Sequence, residues 1–309
     1  MHSVVEVQSW LTESYGFPIP RLFAEATQLV LTFMAEGYED TFEYLGWELT
    51  PALHLFGNGQ QAHEIAYRYD WTPLELFSFG WSGSDGEHYG YLIHAPELHQ
   101  LDYPIVEYGP MNDFGIIFIG RDTRSGLEGL LSLIIESEYA TALHKHRDLV
   151  SALELRPSVE KTDWYQNWKA FIPEVPEGWR YEPSSDGVGV LAPVPLFSPE
   201  HSAFMAHFDR STKLTVADLS DEIESVLEMA QTALDGTYPA TALAMIRESY
   251  WQIGDSFHQY APLWRQTYLD LGRPLLATAV DHALKDRQVV QNHNSVAKAE
   301  AIVIAFREE

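Results

Sequence analysis

The chain has 309 residues, 46% of them hydrophobic and 13% aromatic, and none is cysteine. Forty-five Asp and Glu against 19 Lys and Arg give a formal net charge of −26, which excludes a general nucleic-acid binder, because phosphate binding needs clustered cations, and sets the chain against an anionic membrane surface. The missing cysteines exclude disulfides, thiolate metal sites and Cys nucleophiles.

The length is about twice that of an ordinary domain, and the apolar content is enough for a sizeable core. No basic region followed by an apolar run opens the chain, and no stretch approaches the roughly 18 apolar residues of a membrane helix. The expectation is a soluble cytoplasmic protein. Charge is uneven: residues 1–120 hold 17 acidic residues and two basic ones, Arg21 and Arg68. Such a surface serves solubility or salt adaptation, and it also provides a field that speeds association with a basic protein.

The spacing of Leu22, Phe23, Ala26, Leu29, Val30 and Phe33 predicts a helix from Pro20 to Ala35, ended near Gly37. Short apolar or alternating runs follow. Leu53–Phe56 and His63–Tyr69 flank Asn58-Gly59, a hairpin signal. Leu74–Trp81, Tyr89–His94, Ile105–Tyr108 and Gly115–Ile119 read as further strands. Four successive apolar residues make Ile116–Ile119 the expected central, fully buried strand. Ser125–Tyr139 reads as a helix with Leu127, Leu130, Leu131, Ile134 and Ile135 on one side. Residues 1–155 therefore form an α+β unit, a twisted antiparallel sheet flanked by helices, expected to close its own core and fold alone.

Seven prolines between Pro157 and Pro199, with Trp164, Trp168 and Trp179 among them, mark residues 156–215 as an ordered connector. Asp186-Gly187 turns a small hairpin between Trp179–Tyr181 and Val188–Leu191. From Val216 the chain reads as an all-α region of helical hairpins, 216–309. Ser220 is the expected N-cap, and Ile223, Val226, Leu227, Ala230 and Leu234 form the stripe. Gly236 ends that helix and Pro239 starts the next. Leu234-Asp235, Pro239 and Ala242 recur 35 residues later as Leu269-Asp270, Pro274 and Ala277, a period close to that of tetratricopeptide-like hairpins. Two copies also arise by chance between helical hairpins. If the hairpins stack, one concave face is left for a partner.

The run Thr72-Pro73-Leu74-Glu75-Leu76-Phe77-Ser78-Phe79-Gly80-Trp81-Ser82-Gly83-Ser84-Asp85-Gly86-Glu87-His88-Tyr89-Gly90-Tyr91 is an apolar strand, a Gly/Ser/Asp turn and an aromatic strand. Tyr103-Pro104-Ile105-Val106-Glu107-Tyr108, Gly115-Ile116-Ile117-Phe118-Ile119 and the Leu127–Leu131 helix follow in order. This order over about residues 5–150 resembles the SUKH superfamily, which groups bacterial toxin-immunity proteins with a fungal cell-wall-synthesis regulator. The resemblance implies an α+β fold with a twisted antiparallel sheet, and binding rather than catalysis.

The residues give little catalytic signal. Gly80-Trp81-Ser82-Gly83-Ser84 lacks the last glycine of a nucleophile elbow, and a strand rather than a helix follows it. Asp85, Glu87 and His88 adjoin the turn and offer carboxylate and imidazole chemistry, with a solvated loop as the plainer account. The other histidine pairs lack the i, i+4 spacing of a helical zinc site, and Gly57-Asn58-Gly59 lacks a dinucleotide fingerprint. No cofactor and no metal is expected. The expected function is a protein-binding module, an immunity-type inhibitor that neutralises a basic toxin domain such as a nuclease. The alternative is a scaffold that engages different partners through sheet and hairpins, and the third reading is an enzyme using Asp85, Glu87 and His88. The expected contact residues are Trp81, Ser84, Asp85, Glu87, His88, Tyr89 and Tyr91, because Trp and Tyr anchor interfaces and loops on a rigid sheet carry function.

Overall fold

The structure, a computed structural model, describes residues 2–36, 48–56, 72–81, 86–109, 115–136, 143–157, 173–205, 216–253 and 257–285. It opens with helix α1 (Val4–Tyr15), which the apolar spacing did not announce. Its start is written in Ser3 and Glu6: Ser3 Oγ accepts from the Glu6 N–H at 3.3 Å, and the Ser3 N–H donates to the Glu6 carboxylate at 2.7 Å. This reciprocal cap satisfies two donors that a helix start leaves open. Helix α2 (Arg21–Ala35) follows as expected. After β1 (Glu48–Leu49) comes α3 (Thr50–Phe56), so Leu53–Phe56 ends a short helix and is not a strand. A four-residue apolar run does not distinguish the two by period. The Asn58-Gly59 hairpin and His63–Tyr69 lie outside the described residues.

Strands β2 (Leu76–Trp81), β3 (His88–Leu92), β4 (Ile105–Tyr108) and β5 (Ile116–Gly120) join β1 in an antiparallel sheet with order β1-β2-β3-β4-β5. Strand β5 is thus an edge, and Ile116, Ile117 and Phe118 are only half-buried, against the expected central position. The reason lies in the faces. Ile117 and Ile119 pack with the aromatic core, while Ile116 and Phe118 pack with Leu76, Leu92, Val106, Tyr108 and Val188 on the other side. An unbroken apolar run reports two covered faces and does not report two neighbouring strands.

Helices α4 (Thr123–Glu136) and α5 (Leu143–Ala152) complete the first half. Its core gathers around aromatic rings. Phe23 lies 4.7 Å from Phe79 and 5.5 Å from Tyr91, and Phe17 lies 5.2 Å from Phe77, centroid to centroid. Tyr15 of α1 donates to the Ser78 carbonyl at 3.0 Å, fixing the helix to β2.

The connector contains the expected hairpin, β6 (Trp179–Glu182) paired with β7 (Val190–Pro193), then α6 (His201–Met205). Trp164 and Trp168 lie outside the described residues. Helices α7 (Val216–Asp235), α8 (Pro239–Ile253), α9 (Phe257–Asp270) and α10 (274–285) form two hairpins. Ser220 falls inside α7, so it is not the N-cap.

The 35-residue correspondence extends into hydrogen bonds. At the end of α7, the N–H groups of Gly236, Thr237 and Tyr238 bond the carbonyls of Thr232, Leu234 and Ala233. At the end of α9, Leu271, Gly272 and Arg273 bond Thr267, Leu269 and Tyr268 in the same pattern. Both are Schellman turns. Identical residues support them: Gln231-Thr232, Leu234-Asp235, Pro239, Ala242 and Ala244 recur as Gln266-Thr267, Leu269-Asp270, Pro274, Ala277 and Ala279. The left-handed position is Gly272 (φ 74°) in one copy and Thr237 (φ 67°) in the other.

One buried cluster joins the halves. Arg247 of α8 donates to Asp186, in the β6–β7 turn, at 2.5 Å and to Glu75, just before β2. Tyr268 of α9 donates to the same Glu75 oxygen at 2.6 Å, and Arg247 and Glu75 are each 1% exposed. Burial pushes the Glu75 carboxyl up, but the Arg247 guanidinium and these hydrogen bonds outweigh it and hold the pKa below the usual range. Beside it, Ser185 donates to Glu248 through its N–H at 2.7 Å and its hydroxyl at 2.6 Å. A second buried guanidinium, Arg273, holds Glu97 at 2.9 Å and the Leu191 carbonyl. The apolar core is likewise continuous from Val7 to Ala283. Among the described residues the buried core thus includes side chains from all three segments, and the ion partner of Glu75 lies beyond residue 155.

Two outcomes follow from this geometry. Replacing Arg247 by Met leaves Glu75 and Asp186 as buried, unpaired carboxylates and should cost about 3–5 kcal/mol in chemical denaturation, with part recovered when Glu75→Gln and Asp186→Asn are added. Thr237→Gly relieves a left-handed β-branched residue whose side chain is exposed. It should raise stability by about 0.5–1 kcal/mol, the strain relief exceeding the added freedom of the unfolded chain; an unchanged melting curve would contradict it.

Candidate partner-binding site

The β2–β3 hairpin carries the residues expected to meet a partner. Ser84 and Asp85 lie outside the described residues. Trp81, the last residue of β2, is half-buried, and its indole N–H donates to Glu48, its register partner on β1. Glu87, just before β3, is also half-buried.

The other three point inward. His88 is 0% exposed: its Nδ1 donates to the Gly86 carbonyl at 2.8 Å, so Nε2 is left to accept from the Thr72 hydroxyl at 3.1 Å. Tyr91 is also fully buried. Its hydroxyl pairs with Thr123 Oγ1 at 2.9 Å, which donates to Asp102 at 2.6 Å. Asp102 also accepts the Thr123 N–H at 3.0 Å, at the start of α4. This chain ties β3 to α4, and burial pushes the Tyr91 phenol up. Tyr89, in register with Glu107 of β4, is buried in the same core. His88, Tyr89 and Tyr91 are therefore interior residues in this structure, where the expectation put them in contact with a partner. With both sheet faces covered, the aromatic alternation of β3 feeds the core on one side and the connector on the other.

Glu107 was missed. It lies in β4 between Tyr89 and Ile117, 8% exposed. Desolvation, and then the nearby Glu87 carboxylate, push its carboxyl up to about 7. Glu87 sits two residues before Tyr89 and so falls on the same face, on the diagonal of the pairing. The only sequence signal was one acid inside the apolar run Ile105–Tyr108. This end of the sheet thus carries Glu48 and the Trp81 indole on one face and Glu87 and Glu107 on the other. Among the described residues no group of three or more His, Asp or Glu is placed to hold a metal ion. The arrangement can accept hydrogen bonds and cations, and it can hold a proton near neutrality on Glu107.

The structure describes the side chains of three other histidines from the sequence pairs. His94 donates through Nε2 to the Val188 carbonyl at 2.6 Å, and burial lowers its pKa to about 4. His201 bonds Thr241 at 3.0 Å, and His99 is exposed at the end of a short 3-10 turn.

These two shifts act on stability with opposite signs. A carboxyl raised from 4.5 to about 7 favours the folded state below pH 4.5, and that advantage is lost as pH rises to about 7. A histidine lowered from 6.5 to about 4 contributes fully above pH 6.5 and loses that contribution as pH falls toward 4. Glu107→Gln removes the first effect alone. Relative to the parent at the same pH, it should gain on the order of 3 kcal/mol at pH 8 and nothing at pH 4. Equal gains at both would show that the carboxyl titrates normally. No protein-family model matches the chain, and no curated protein matches it.

Proposed function

We propose that the protein is a binding module for a basic protein, acting as an immunity-type inhibitor that occupies the cationic surface of a toxin domain. The observation that carries this reading is the scarcity of cations in residues 1–120, which hold 17 acidic residues and two basic ones. Arg21, the single Lys or Arg described there, is paired with Glu25 at 2.8 Å. Exposed Glu6, Glu13 and Glu36 surround it in sequence. Such a field attracts a basic partner and repels acidic ones. The order of strands and turn that resembles the SUKH superfamily supports binding over catalysis. The matched turns of the two hairpins favour a second reading, a scaffold whose helical half engages a partner of its own.

The test is affinity capture from the producing organism at low salt, followed by kinetics on the captured protein. The reading expects one stoichiometric partner rich in Lys and Arg, whose association rate falls by about tenfold or more between low and physiological salt while dissociation changes less. Capture of a multiprotein assembly favours the scaffold, and an association rate indifferent to salt sinks the electrostatic reading.

A further inference from the structure

The first helices of the two hairpins, α7 and α9, leave an open groove of about 430 Å3 between them. Its walls use equivalent positions 35 residues apart. Leu227 corresponds to Pro262, Glu228 to Leu263 and Gln231 to Gln266. The floor is apolar, from Leu227, Leu263 and Pro262.

The polar groups of the walls are oriented. Gln231 donates its side-chain amide to Asp235 at 2.7 Å, and Gln266 donates to Asp270 at 2.7 Å. A carboxylate only accepts, so each amide nitrogen gives one of its two hydrogens to its aspartate, and each amide keeps one donor and its carbonyl oxygen. Glu228, exposed on α7, adds a carboxylate. Helix α7 contains neither Lys nor Arg. The Arg265 side chain on α9 is held by both oxygens of Asp281 on α10, each at 3.0 Å. Gln259 adds a third amide, so Glu228 is the one charged side chain among the described residues that line the groove, and it calls for a cationic donor.

We infer that this groove takes an arginine-bearing segment of a basic partner protein. A guanidinium carries five N–H donors in a plane and sits on an aliphatic stem. The stem covers Leu227, Pro262 and Leu263, and the head reaches Glu228 with a charge-assisted hydrogen bond. The inference rests on the proposed function, since the partner's chemistry is the same, and it adds where one cation docks.

The probe is a short blocked peptide with two arginines among leucine and alanine, and its counterpart with citrulline at both positions, titrated calorimetrically into the full chain. The arginine peptide should bind, and the citrulline peptide about tenfold more weakly. Glu228→Lys, an exposed change that leaves the fold intact, should weaken the arginine peptide about tenfold. Glu13→Lys, the same charge change on α1, should leave it within about twofold. No binding to the parent, equal binding of the citrulline peptide, or an equal loss in Glu13→Lys overturns the groove. The last of these would assign the attraction to the diffuse field. Failure of the two proposals is separable. If the captured basic partner binds Glu228→Lys as it binds the parent, the groove assignment falls and the basic-partner reading stands. If no basic partner is captured while the peptide discriminates as expected, the reverse holds.

Discussion

The Arg247 guanidinium holds three distant stretches of chain at one buried point. A charge of this size leaves water at a cost of several kcal/mol, recovered only when carboxylates meet it in good geometry. Glu75 arrives from the sheet, Asp186 from the β6–β7 turn, and Tyr268 secures the shared carboxylate from α9. The turn carrying Asp186 has two further duties. The Asp186 carbonyl accepts the N–H of Ile116 at 3.3 Å, capping the start of edge strand β5. Val188 next to it covers the second face of the sheet. Connector, sheet edge and helical hairpins are thus positioned by the same few residues.

This arrangement explains what could be read from the chain in advance. Helix α2, strands β2 to β5, the small hairpin and the turns at Gly236 and Pro239 follow from local period and turn chemistry, which act within a few residues. Helix α1 was legible in Ser3 and Glu6, and went unread because its apolar face is only Val7, Leu11 and Tyr15. The position of β5 was not legible, since Ile116–Ile119 reads the same at an edge and at a centre once both faces are covered. Within the candidate site, Trp81 and Glu87 stay at the end of the sheet. The alternation that marks β3 as a strand does not say that both of its faces are interior, so Tyr89 and Tyr91 read as anchors. Glu75 and Arg247 look like ordinary surface charges in sequence. What makes them buried is the approach of segments more than 60 residues away, and no window of residues contains that.

Placement of charge has a further effect. An interior that takes in Arg247 and Arg273 removes two of the 19 basic side chains from contact with solvent. The same interior takes in Glu75, Asp186, Glu107 and Glu248, so among the described residues burial removes more carboxylates than guanidinium groups from the surface. The negative surface field therefore follows from the composition of the chain, and the two buried cations serve the fold.

The separation of the cluster along the chain also matters while the protein is being made. Glu75 precedes Arg247 by 172 residues. At a synthesis rate of roughly 5–20 residues per second, β2 emerges on the order of ten to thirty seconds before its counterion. During that interval the sheet half has a carboxylate where the finished fold has an ion pair, and its second face lacks the Val188 cover. The nascent sheet must wait, solvated or protected by a chaperone, until the last third of the chain arrives to close it.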